Sequence, residues 1–260
     1  MSAQELIVRN TASLKGRSIF ITPNESPLKV LSCARIILDG NLAEVSAHTE
    51  GQEVALICIS GEGSVRVESE SYEMKLYDGL YLPPHTSYQV ASSGPFDLAE
   101  ASAPNDRPGK VHFVPFSEVK NDPKLHLNAG EDTYKRKVFR IIDENVEASR
   151  LICGLTLGEP GNWTSWAPHE HAQTKEEVYL FIDMPPPTFG IQMIYRDLNE
   201  FDFMAPVFGD DAVIITQGYH PNVGIPGHGI NFVWMMATLR PEVDRDWTQM
   251  SFDEAFGKSL

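Results

Sequence analysis

The sequence predicts an all-β chain folded as two similar barrels in tandem, and three observations carry that expectation. Short runs that alternate apolar and polar residues are separated by turn signals about ten residues apart, as in sandwiches and barrels. The order of runs and turns beyond residue 137 repeats the order seen between residues 28 and 98. No window of that first half shows the 3.6-residue apolar period of a helix.

Taken in order, residues 1–28 read as an arm, where Pro23 and Pro27 block a long helix. Residues 54–59 form the first clear run. Gly61-Glu62-Gly63 follows as a turn, and residues 64–68 alternate cleanly. Residues 72–76 alternate again before the hairpin-type turn Asp78-Gly79. Residues 103–110, rich in Pro and Gly, have the composition of a linker. The β pattern resumes near Lys137 with runs at 150–157, 177–182, 190–195, 212–216 and 231–237. The expected division is therefore an arm with a first barrel over residues 1–105, a linker over 106–136, and a second barrel with a tail over 137–260. The tail carries Trp247, Met250, Phe252 and Phe256 and reads as a short helix packed on the barrel or on a partner.

Composition narrows the function. The 260 residues are 42% hydrophobic, enough for a proper core, and carry a formal charge of −15. So acidic a chain repels phosphate backbones and anionic membrane surfaces, which argues against nucleic-acid and membrane partners. A small anionic ligand is still admissible, because a few local Arg or Lys can reverse the potential inside a pocket. Cys33, Cys58 and Cys153 are few and set among apolar residues, as expected of buried free thiols in a reducing compartment. No signal core and no long apolar run are present, so a soluble cytoplasmic protein is expected. The arm and the aromatic tail also suggest self-association into a homo-oligomer.

The informative stretch is residues 161–181. His169 and His171 are one residue apart, and side chains on a strand alternate, so both imidazoles point to one face. Glu176 and Glu177 open the next β run, and His220 follows within Gly218-Tyr219-His220-Pro221. Three His and one Glu suit a borderline divalent metal: Zn, Mn, Fe, Co or Ni. Glu176 and Glu177 must face opposite ways. Glu177 is the expected ligand, because Tyr179 would then share its face and suit a polar substrate. The first half holds a partial echo in His48, Glu53 and His85, with Ser46 where the other His would stand. The first barrel is expected to be structural.

Residues 161–171, Glu177-Val178-Tyr179, Gly218-Tyr219-His220-Pro221 and residues 232–237 resemble the bicupin family of sugar-acid isomerases. That family comprises the 5-deoxy-glucuronate isomerases of inositol catabolism and the 4-deoxy-L-threo-5-hexosulose-uronate ketol-isomerases of pectin breakdown. Gly161-Asn162-Trp163 and Gly218-Tyr219-His220-Pro221 look closer to the former. Glu177-Val178-Tyr179 and the Gly61-Glu62-Gly63 turn look closer to the latter.

The resemblance implies two jelly-roll cupin barrels, the first degenerate, and an aldose–ketose isomerase of an acidic deoxy-hexose. It favours zinc, held by His169, His171, Glu177 and His220. A base would move a proton between adjacent carbons, with Glu176, Lys175, Tyr179 and Tyr219 as candidates. A hydride shift would need no strong base. The substrate carboxylate calls for a cation: Arg140, Arg136, Lys175 or Arg196. Trp163 and Trp166, with Tyr179, are candidates to wall the pocket. A cupin dioxygenase would use the same ligands but require oxygen, and a non-catalytic sugar-binding cupin would bind without turnover.

Overall fold

A computed structural model describes residues 3–171 and 173–257; residues 1–2 and 258–260 of the expected domains lie outside them, as does Ala172. Each half is a pair of antiparallel sheets. In the first half, a six-stranded sheet runs His112–Val114, Gly79–Leu82, Gln52–Gly61, Pro95–Pro104, Ser32–Asp39, Gly16–Ile21 from edge to edge. A four-stranded sheet faces it, in the order Glu44–His48, Ser87–Ala91, Gly63–Val67, Glu70–Met74. In the second half, the large sheet runs Ile7–Val8, Ala212–Ile215, Lys175–Phe181, Asn231–Thr238, Leu151–Gly158, Arg136–Ile142, His126–Ala129. Its companion is Trp163–Thr164, Asn222–Gly224, Gly190–Asp197, Glu200–Val207.

The central strand Gln52–Gly61 shows how the halves are joined. Val54, Leu56 and Cys58 point into the first barrel, beside Val65 and Val90. Ala55, Ile57 and Ile59 point the other way, into a shared core with Val178 and Leu180 of the second half. A period-two strand buried on both faces reads as a continuous apolar run, which is why residues 54–59 stood out in the sequence. Each fully buried Ile or Leu contributes about 1.5–3 kcal/mol of apolar transfer, so this core welds the two barrels together.

Two expectations need correction. The tail forms no helix over its described residues. Ser251–Phe252 instead pairs antiparallel with His169–Glu170, because an unpaired strand edge offers backbone hydrogen bonds that outweigh local propensity. The arm is likewise engaged at home: Ile7–Val8 pairs with Val213 and Ala212, and Gly16–Ile21 edges the first sheet. Both segments therefore pair within the chain.

The partial echo in the first half also dissolves. His48 and His85 are exposed, and Glu53 is buried with its carboxylate turned toward the second half. Glu53 pairs with Ala103 as Glu176 pairs with Ala237. The first-barrel counterpart of Glu177 is therefore Val54, an apolar residue that cannot ligate a metal.

Candidate metal centre and pocket

The site lies in the second barrel and draws on three segments. His169 stands on the short strand His169–Glu170, with His171 just beyond it. Glu177 is on Lys175–Phe181, a strand buried along its whole length. His220 is held in a loop by Gly218, whose φ is +90° and whose added Cβ would lie 2.8 Å from the Tyr195 carbonyl oxygen. Only glycine fits there without strain. The Gly218 N–H donates to the Glu170 carboxylate at 3.1 Å, which ties the loop to the ligand strand.

These segments bring His169, His171 and His220 together, with one ring nitrogen of each within 4.8 Å of the others. The Glu177 carboxylate lies 3.0 Å from His171 Nε2 and 3.3 Å from His220 Nε2. His169 Nδ1 meets the Ala167 carbonyl at 3.1 Å, and His220 Nδ1 meets the Gly218 carbonyl at 3.0 Å. A carbonyl only accepts, so both Nδ1 atoms carry the proton and both Nε2 atoms present a lone pair. His220 Nε2 is buried with no aligned hydrogen-bond partner among the described residues, its contact with Glu177 being close but poorly directed. His171 differs: its Nε2 faces Glu177, and its Nδ1 has no hydrogen-bond partner among the described residues.

Electrostatics reinforce the geometry. Burial, with His220 and His171 alongside, pushes His169 down to about 3, so it is neutral at physiological pH. Burial alone would raise Glu177, but His171 and His220 beside it reverse that and hold it below the usual carboxylate range. A neutral His169 beside a charged Glu177 is in the protonation state that metal ligation requires. The donor set, with its lone pair left over on a buried nitrogen, fits a divalent metal.

A pocket opens over this cluster, lined by His169, His171 and Glu177 with Ser165, Tyr179, Arg136, Trp234 and Trp247. Tyr179 lines the pocket beside the ligands, its ring 5.8 Å from that of His220. Burial first, then Glu177, raises its hydroxyl well above the usual range, so it stays a proton-bearing donor. Ser165 Oγ is 2.9 Å from that hydroxyl.

The remaining sequence candidates stand elsewhere. Glu176 turns away from the pocket and accepts the backbone N–H groups of Lys29, Val30 and Leu31. Lys175 is buried, and its ammonium donates to the Gln249 carbonyl at 3.1 Å. Tyr219 is outside the pocket lining, its ring 5.5 Å from that of Tyr195. Arg196 is exposed and paired with Asp202, with Nε at 2.9 Å. Arg140 pairs with Asp143 at 2.9 Å and lies over the Trp247 ring at 5.5 Å, so it braces the pocket wall from behind. Trp163 packs at a tilt against Trp166, and Trp166 packs edge-on against Phe256. They anchor the tail, and the indoles that wall the pocket are Trp234 and Trp247. Gly154 makes room for the former: a Cβ there would meet Trp234 Cζ2 at 2.3 Å.

The sequence assigned no pocket role to Trp234, Trp247 and Met250. Trp234 lies in a run that simply looks apolar, and the tail residues reach the site through a strand pairing that no local signal announces.

A family model described as KduI/IolB family matches residues 6–257. A 5-deoxy-glucuronate isomerase of Geobacillus thermodenitrificans is 26% identical over 227 residues, 78% of this chain and 81% of that protein. A 4-deoxy-L-threo-5-hexosulose-uronate ketol-isomerase of Caldicellulosiruptor bescii is 24% identical, covering 78% of this chain and 74% of that protein. Among solved structures, an IolB-like protein of Salmonella typhimurium superposes with a TM-score of 0.85, at 23% identity over 97% of this chain and 98% of that one. An oxalate decarboxylase of Lactobacillus farciminis, a cupin, follows at 0.62, 13% identity, over 89% and 85%.

Proposed function

This chain belongs to the KduI/IolB family, and from that premise we propose that it interconverts the aldose and ketose forms of an acidic deoxy-hexose. The substrate proposed is 5-deoxy-glucuronate, the name carried by the relatives that align at 26–27% identity over 78–86% of the chain. The sister substrate, 4-deoxy-L-threo-5-hexosulose-uronate, is the second reading, favoured by relatives at 24–27% identity.

The observation that carries the proposal is the meeting of three imidazoles and one carboxylate under a pocket that also holds a neutral phenol. His169, His171, Glu177 and His220 would hold the metal, with zinc suited to three nitrogens and one oxygen. A divalent metal supplies a Lewis acid that polarises a carbonyl and the hydroxyl next to it. The chain's own residues do the rest. The pocket wall of Trp234 and Trp247 excludes water and orients the sugar. Tyr179, kept protonated, donates a hydrogen bond to a substrate oxygen while Ser165 fixes its hydroxyl. Of the four candidates for proton transfer, Tyr179 is the one that lines the pocket.

We also propose a cytoplasmic location. Free, buried Cys33, Cys58 and Cys153 suit a reducing compartment, and no helix among the described residues is long and apolar enough to cross a membrane. The division at residues 105 and 137 is proposed as the domain division. The first sheet's strand Pro95–Pro104 ends near one boundary and Arg136–Ile142 begins at the other, and the segment between lends an edge strand to each half.

The test is a comparison of kcat/KM for the two named substrates with the metal-loaded protein. The proposal expects 5-deoxy-glucuronate to be preferred at least about tenfold. The reverse preference would move the assignment to the sister reaction.

A further inference from the structure

We infer that Arg136 receives the carboxylate of the substrate, so that an acidic sugar lies along the pocket with its carbonyl end at the histidines and its acid end at this guanidinium. The inference rests on the isomerase reading above and deepens it, by naming what makes the site select acids.

Arg136 lines the same pocket as His169, His171 and Glu177, and it is 6% exposed. It forms no ion pair among the described residues. Its Nη1 donates to the Tyr134 carbonyl at 3.0 Å and its Nη2 to the Trp166 carbonyl, both of them neutral acceptors. Other arginines meet carboxylates directly. Arg17 meets Glu100, Arg35 meets Asp97 and Asp210, and Arg140 meets Asp143. Arg150 and Arg245, both half-buried, donate to backbone carbonyls as Arg136 does, but neither lines the pocket. In a chain with 36 Asp and Glu against 21 Lys and Arg, a buried guanidinium that lines a pocket with no ion-pair partner among the described residues is an exception. Removing a charge from water without an ionic partner is unfavourable, so such a group persists where a ligand completes it.

The chemistry of the group fits an acid. Guanidinium has five N–H donors in a planar fork, and two carbonyl contacts leave others free for bidentate binding of a carboxylate. Burial pushes Arg136 down to about 10, which leaves it charged at neutral pH. Its placement is coupled to the ligand cluster through one short loop. The Trp166 carbonyl holds Arg136, the next carbonyl, that of Ala167, holds His169, and Ser165 before them holds Tyr179. Cation, ligand and phenol are thereby set at fixed relative positions. A sugar acid can reach the ligands and the guanidinium together, because its carbonyl and its carboxylate are at opposite ends of one chain.

The test pairs each acid with the same sugar carrying a primary alcohol in place of the carboxylate. Wild type, Arg136→Met and Arg136→Lys are compared as metal-loaded proteins. In wild type the acid is expected to be favoured in kcat/KM by about 100-fold, the scale for a buried charge pair. Arg136→Met loses that preference through KM, and Arg136→Lys keeps part of it. Metal content stays at the wild-type level in both variants. A second arm needs no turnover: gluconate, a sugar acid without a carbonyl, raises the melting temperature of wild type and leaves that of Arg136→Met unchanged. If no sugar is isomerised but gluconate still discriminates the proteins, the isomerase reading fails and the acid site stands. If Arg136→Met keeps the preference for acids, or responds to gluconate as wild type does, the inference is overturned. Should Arg136→Met fail to fold, Arg136→Lys carries both arms, and an unchanged preference with an unchanged gluconate response overturns it equally.

Discussion

Glu53 and Glu176 bind the two barrels to each other by the same contact made in opposite directions. The Glu53 carboxylate accepts the backbone N–H groups of Ser149, Arg150 and Leu151 at 2.6–2.8 Å. The Glu176 carboxylate accepts those of Lys29, Val30 and Leu31 at 2.5–3.2 Å. Each therefore caps the start of a strand in the other half. Both side chains are buried, so the bonds form away from competing water.

Glu176→Gln is expected to lower stability by about 2–3 kcal/mol, because three N–H donors lose a charged acceptor and one meets an amide group. Glu53→Gln should lose a similar amount, with Tyr81 and Asn105 also deprived of their partner. Chemical denaturation measures both. Metal content and kcat of folded Glu176→Gln should stay near wild type. A loss of kcat with stability intact would instead return Glu176 to the reaction.

Tyr179→Phe removes the pocket's phenolic hydroxyl and frees Ser165 while keeping the ring on Phe232, 4.1 Å away. The expected result is a fall in kcat of about 100-fold, within the range for a positioned donor or acid–base group. KM and metal content should change little, and steady-state kinetics beside metal analysis will show it. An unchanged kcat would leave the phenol a packing residue.

Trp247 reaches the pocket from the tail and is covered by Arg140. Trp247→Ala should raise KM about tenfold, since a wall of the pocket and a cation–π contact are lost together. Trp247→Phe should recover most of the affinity. If Trp247→Ala binds substrate as wild type does, the tail is a stabilising strap without a part in binding.

Much of the site was legible because strand periodicity is simple. His169 and His171 had to share a face, and Glu177 and Glu176 had to part, so one could meet the histidines and the other could not. The substrate cation was not legible on the same terms. Arg136 and Arg140 lie on one strand with the same parity, and periodicity treats them alike. What separates them is contact: Asp143, three residues on, and Trp247, from the tail, both claim Arg140. The first-barrel echo forms no site for a related reason. His48, Glu53 and His85 have plausible spacing, but the strand register places Val54 where a ligand would be needed. Register and tail pairing are decided by long-range contacts, which no window of sequence contains.

Cys33, Cys58 and Cys153 are buried, and burial pushes the Cys58 and Cys153 thiols up to about 12 and Cys33 well above its ordinary value. The thiolate is the reactive form, so its population at pH 8 is negligible. An aromatic disulfide reagent should leave the native protein unmodified and titrate all three thiols after denaturation. Rapid reaction of a native thiol would contradict the burial.

The most direct test of the central claim is metal removal and return, followed by proton NMR of 5-deoxy-glucuronate in D₂O without oxygen. Chelator-stripped protein should be folded and inactive, and one equivalent of zinc per chain should restore isomerisation. His171→Ala should neither retain the metal nor recover. Deuterium entering the product marks proton transfer, and its absence marks a hydride shift. Full isomerisation by the stripped protein or by His171→Ala, or turnover that requires oxygen, would contradict the account.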